Sequence, residues 1–147
     1  LRHFGCAEVE AVLHRLTGRE TRALRQTVGL SRLLLDAAAL GDEAALHEVD
    51  RAAVSLGDYA GVAARKVGLG RGPFSLVLAG GVLRHESPLL REAITAKVKG
   101  RLPQARPRLA PFEPVVGAVL LALDAAAPLT DHTVLTPSLP APEFFAT

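Results

Sequence analysis

The chain has no tryptophan, no methionine and a single cysteine among its 147 residues, and aromatics make up only 4% of it. Cys6 has no second cysteine to pair with, so an internal disulfide framework is excluded. The histidines stand at 3, 14, 47, 85 and 132, scattered and without zinc-ligand spacing. Charge runs are absent as well. Lys and Arg exceed Asp and Glu by a net +2, too small an excess to argue for a nucleic-acid partner. The longest apolar run, Val115 to Leu123, falls far short of the ~20 residues that span a bilayer. Two phosphate-binding signatures are missing, G-x-x-x-x-G-K-[ST] and G-x-G-x-x-G. No signal-like segment opens the sequence at Leu1, and with the lone cysteine this gives the expectation of a reducing, cytoplasmic setting.

What is present is apolar and helical in pattern. Hydrophobic residues make up 49% of the chain and charged residues 22%, which rules out disorder throughout. Val9, Val12, Leu13 and Leu16 fall at i, i+3, i+4 and i+7, predicting a helix over 8–16. A second helical stretch is predicted over 20–40, with Leu33, Leu34, Ala37, Ala38 and Leu40 on its buried face. Gly41 ends it, and Asp42 is placed to N-cap the next helix, 43–67. The stripe expected to be buried there is Leu46, Val49, Ala53, Leu56, Ala60, Ala63, Ala64 and Val67. Gly57 and Gly61 inside that helix cost roughly 1 kcal/mol each against Ala, which hints at a kink or at close packing.

The most informative stretch runs from Phe74 to Leu90. Residues 74–79 read as a short buried strand, Gly80-Gly81 end it, and Ser87-Pro88 signal a helix over 88–100, with Ser87 as N-cap. Two glycines at the carboxyl end of a strand remove side chains where open α/β sheets receive ligands. The same order also makes a plain strand-to-helix connection, and at this level both readings stand. Residues 101–107 read as a loop, 108–110 as a short strand beside the first, and 115–126 as a last helix. Prolines and threonines mark an irregular tail over 128–147, after a single unit spanning 1–127.

Val77 to Leu90, together with Pro114 to Leu123, resembles the C-terminal half of the BadF/BadG-type ATPase family. That family includes N-acetylglucosamine kinases and belongs to the actin-like sugar kinase superfamily. Leu40-Gly41-Asp42-Glu43-Ala44-Ala45 is similar to the family's helix–Gly-Asp–helix passage, and His3-Phe4-Gly5 with Leu13-His14-Arg15-Leu16 fits the stretch before it. The resemblance implies an α/β fold: the C-terminal part of an actin-like (ribonuclease H-like) ATPase domain, helix-rich with a small partial sheet. It implies that Gly80 and Gly81 lie against the adenosine of ATP, with Val82, Arg84 and Ser87 in neighbouring contacts. Arg84 could stack on adenine or meet a phosphate, or it could be a solvated arginine at the helix entry.

The implied activity of the intact protein is phosphoryl transfer from ATP, with Mg²⁺, to a hydroxyl of an amino sugar. This chain is expected to carry no catalytic base and no metal ligand. The superfamily supplies those from an Asp-x-Gly-x-Thr-type loop and a second glycine-rich loop, and neither is in this sequence. Asp42 and Glu43 read as helix N-cap and first-turn dipole compensation, not as the family's acidic sugar-site motif. Two alternatives remain at this level. One is an activator ATPase of a 2-hydroxyacyl-CoA dehydratase, which needs cysteine ligands beyond Cys6. The other is a non-enzymatic helical interaction module using Arg15, Arg19, Arg22 and Arg25. No membrane or nucleic-acid partner is expected. An uncharged strand with an open edge predicts a homodimer, or pairing with the rest of a larger protein. The sequence does not identify the phosphate acceptor.

Overall fold

A computed structural model describes residues 2–17 and 29–126. A 3₁₀ turn, Arg2–Phe4, precedes helix α1, Val9–Thr17. Helices α2, Leu30–Ala39, and α3, Glu43–Lys66, follow. Strand β1 is Phe74–Leu78, helix α4 is Leu89–Arg101, strand β2 is Ala105–Leu109 and helix α5 is Pro114–Ala126. The chain is thus helix-rich with a small two-stranded parallel sheet, as the α/β expectation requires. Residues 20–28 of the helical stretch predicted over 20–40, the arginines at 19, 22 and 25, and the tail over 128–147 lie outside the described residues. Among the described residues no helix is long and apolar enough to cross a membrane.

β1, α4 and β2 form a βαβ unit. Phe74 pairs with Ala105 and the register runs to Leu78 beside Leu109. The second strand is longer than expected and begins three residues earlier, inside the stretch read as loop. Pro107 hides it, because a proline in a run argues against a strand unless that strand is an edge. At an edge its missing N–H costs nothing. The ladder satisfies this condition: Phe74 N–H donates to the Gln104 carbonyl at 3.4 Å and Ala110 N–H to the Leu78 carbonyl at 2.8 Å. Backbone groups alternate between the two sides of a strand, so Pro107 faces away from β1.

The core lies between α3, α4 and the inner face of the sheet, closed at one side by α2. Leu35 and Ala38, Val49, Ala53 and Ala64, Leu78, Leu90, Ile94 and Val98, and Leu102 and Ala105 are buried in one cluster. Two expected faces are corrected in part: Ala38 in α2 and Val49, Ala53 and Ala64 in α3 are buried as expected, but others are not. In α2 the buried residues are Leu35 and Ala38, whereas Leu33 is exposed and Leu40, the C-cap residue before Gly41, is 89% exposed. In α3 the buried stripe is Ala45, Val49, Ala53, Gly57, Gly61 and Ala64, and Leu46, Leu56 and Val67 are exposed. The helix turns its small residues inward because α4 crosses there at close range. A Cβ placed on Gly57 would come within 2.8 Å of the Lys97 Cβ. Close packing therefore accounts for that glycine. Asp50 pairs with Lys97 at 3.1 Å and Asp58 with Arg101, so ion pairs flank the same crossing.

Helix starts follow their local chemistry. The Asp42 carboxylate accepts the Ala45 N–H at 2.9 Å, as its position before an alanine-rich helix predicts. For α4 the N-cap is Pro88 rather than Ser87, one residue later than expected, and it has no side-chain cap.

Candidate functional site

Gly80 stands two residues beyond β1, with φ +108° and ψ 156°, backbone that an L side chain rarely adopts. It bends the chain out of the strand into a 3₁₀ turn, Gly81–Arg84. Gly81 has no such conformational demand. Among the described residues a Cβ built at either glycine meets nothing within 4 Å. The backbone at the carboxyl end of β1 therefore faces space that no described residue fills, and at Gly81 neither dihedral angle nor crowding by the described residues requires glycine. The order strand, Gly-Gly, turn, helix is as the sequence predicts.

The segment after the glycines is held on three sides. Arg91, on the first turn of α4, donates to the Leu83 carbonyl at 3.0 Å and to the His85 carbonyl. Arg84 turns toward the loop after β2, where its Nη2 donates to the Ala110 carbonyl at 2.9 Å. Its Nε lies 3.0 Å from Glu113 Oε1, yet that buried N–H has no directed hydrogen bond, so the Arg84–Glu113 attraction is one of charge. Both side chains are largely buried, and the pair ties the loops after the two strands together. On the third side His85 reaches α2. The Ser87 N–H donates to His85 Nδ1 at 3.1 Å, which places the ring hydrogen on Nε2, 3.1 Å from Asp36 Oδ1. The glycine turn is thereby mounted on α2, α4 and the β2 exit loop, which fixes it without crowding it.

Of the five residues expected to contact a nucleotide, Gly80, Gly81 and Val82 lie together at the strand end, with the Val82 side chain exposed. Arg84 is directed away to Glu113 and Ala110. Ser87 lines a different cleft of about 470 Å³, which it shares with Asp36, Gly41, His85 and Leu89. Its Oγ is 3.5 Å from the Leu89 N–H. The roles of Asp36, His85, Arg91 and Glu113 were not legible in the sequence. His85 and Asp36 are 49 residues apart, and no local pattern links them. Among the described residues no group of three or more His, Cys, Asp or Glu side chains is placed to hold a metal ion. Arg15, the described member of the arginine set, donates to the Phe4 carbonyl.

No family model, curated protein or solved structure matches this chain.

Proposed function

We propose that the chain is the adenosine-contacting, C-terminal portion of an ATP-dependent sugar kinase of the N-acetylglucosamine-kinase-like type, with an actin-like fold. The observation that carries this reading is Gly81. Its backbone is open, its conformation suits any residue, and it sits beyond the carboxyl end of a parallel strand, where α/β sheets take their ligands. A ligand that packs flat against the backbone supplies the reason for a missing side chain that the described residues do not supply. In this reading Gly80 and Gly81 press on the ribose, and the exposed Val82 offers apolar surface to the base. Mg²⁺ and the amino sugar are held by other parts of the intact protein, which moves the phosphoryl group in a cytoplasmic setting. The acceptor hydroxyl is the substrate's, and its base also comes from those parts.

The test separates fold from ligand. Gly81→Ala and Gly81→Val fill the open space. Alanine there is compatible with the backbone and raises stability by about 0.4–1 kcal/mol, because it restricts the unfolded chain. Both substitutions are expected to weaken ATP binding measured by calorimetry, valine more than alanine. Unchanged binding in the valine variant, or no binding by the parent chain, overturns the reading.

A further inference from the structure

The two open edges of the sheet are built differently. On β2 the outward-facing backbone positions are Ala105, Pro107 and Leu109. The Ala105 N–H is already given to the Leu102 carbonyl at 3.0 Å, and Pro107 has none. Arg106 and Arg108 add exposed charge to the same strand. Proline and flanking charge are how natural proteins close an edge to further pairing. β1 has neither device. Its sequence is Phe-Ser-Leu-Val-Leu, without charge or proline, and its outward positions are Ser75 and Val77. Among the described residues nothing pairs with their N–H and C=O groups. An uncharged strand of this kind belongs in the interior of a sheet.

We infer that the outer edge of β1 pairs with the same edge of a second copy of this chain, antiparallel about a two-fold axis at Leu76. The register follows from which groups are free. Ser75 exchanges both backbone hydrogen bonds with Val77 of the second copy, and Val77 does so with Ser75 of the second copy. Leu76 then faces Leu76 of the second copy as a non-hydrogen-bonded pair, and Phe74 faces Leu78 of the second copy, all on the half-buried inner face. Charge does not oppose the approach, because the strand carries none. The product is a four-stranded sheet in the order β2-β1-β1-β2, and both of its outer edges are the proline-bearing β2. That explains why one edge is closed and the other left open, and it makes the assembly stop at two copies. The inference goes beyond the nucleotide reading and does not depend on it; it concerns the chain by itself, since in an intact kinase of the proposed kind a strand of the same polypeptide would take the place of the second copy.

Sedimentation of the purified chain is expected to give a dimer. Amide hydrogen exchange at Ser75 and Val77 is expected to slow in the dimer and to speed up on dilution. Two variants test the edge. Val77→Pro removes an outward donor that the β1–β2 ladder does not use. Ser75→Lys with Val77→Lys sets like charges directly opposite each other on the exposed face. Each is expected to weaken dimerisation at least about tenfold with unchanged helical circular dichroism. A wild-type monomer, a dimer that neither variant weakens, or a strand from a different protein found on this edge overturns the inference.

Discussion

Two glycines one helical turn apart in α3 show how the same residue type is kept for opposite reasons. Gly57 lies under α4, where an added Cβ would sit 2.8 Å from the Lys97 Cβ, an atom fixed to the backbone that cannot swing away. At Gly61 the nearest atom to such a Cβ is the far end of Arg65 at 3.6 Å, an ordinary contact. Alanine gains about 1 kcal/mol over glycine in a helix interior. Overpacking a helix crossing costs about 1–3 kcal/mol. Gly61→Ala is therefore expected to stabilise the fold by about 0.5–1 kcal/mol and Gly57→Ala to destabilise it by about 1–2 kcal/mol. Urea denaturation of the two variants reads this directly, and equal effects would refute the close crossing. Neither distinction is legible in the sequence, where both glycines interrupt the same helical pattern. Only the position of a neighbouring helix separates them.

Elements with local causes were legible, and those with distant causes were not. α3 begins where Asp42 precedes an alanine-rich run, and the Asp42 carboxylate takes the Ala45 N–H. Asp42→Ala is expected to cost about 1 kcal/mol, with lost protection confined to the amides of the first turn of α3. A loss spread evenly over the helix would show that Asp42 acts through something other than the cap. β1 was legible for a similar reason: an apolar run bounded by glycines needs no partner to be recognised. β2 was legible only in part, since Ala-Arg-Pro-Arg-Leu is a strand because β1 lies beside it and because its proline faces outward. The helix faces were legible only in part: Ala38, Val49, Ala53 and Ala64 are buried as expected, whereas the leucines expected beside them are not the residues the crossing helix covers. In α3 the inward stripe is Ala45, Val49, Ala53, Gly57, Gly61 and Ala64, and the larger Leu46 and Leu56 remain exposed. A helix that must lie close to another turns its small face to it. The site divides in the same way. Gly80 and Gly81 stood out by their position after a strand, whereas the contacts that hold their loop come from α2, α4 and the β2 exit.

At the scale of the molecule, the chemistry at the glycine turn is backbone and apolar surface, and the two arginines nearest to it among the described residues are both engaged, while the exposed Arg108 lies on the neighbouring strand beside Val77. Arg84, the cation nearest in sequence to the two glycines, has its guanidinium engaged with Glu113 and the Ala110 carbonyl. Arg91 is likewise occupied by the Leu83 and His85 carbonyls. Freeing Arg84 for a phosphate would leave the largely buried Glu113 carboxylate without its counter-charge, a rearrangement that costs about as much as the new contact returns. On the proposed reading, a site of this kind would grip the nucleoside and leave the phosphates to other parts of the intact protein. Adenosine, AMP and ATP are therefore expected to bind the isolated chain with affinities within about threefold of one another, a difference of less than 1 kcal/mol. Adding Mg²⁺ or raising the salt concentration should change little, because counter-ion release accompanies phosphate contacts and not ribose contacts. Phosphorylation of N-acetylglucosamine by the isolated chain should stay at background, since neither phosphate-binding loop of the kinase superfamily is in its sequence. Calorimetric titrations of the three ligands with and without Mg²⁺ test the point. An affinity that climbs tenfold or more with each added phosphate would mean that a cation of this chain reaches the phosphates, either Arg84 after leaving Glu113 or the exposed Arg108 of the neighbouring strand.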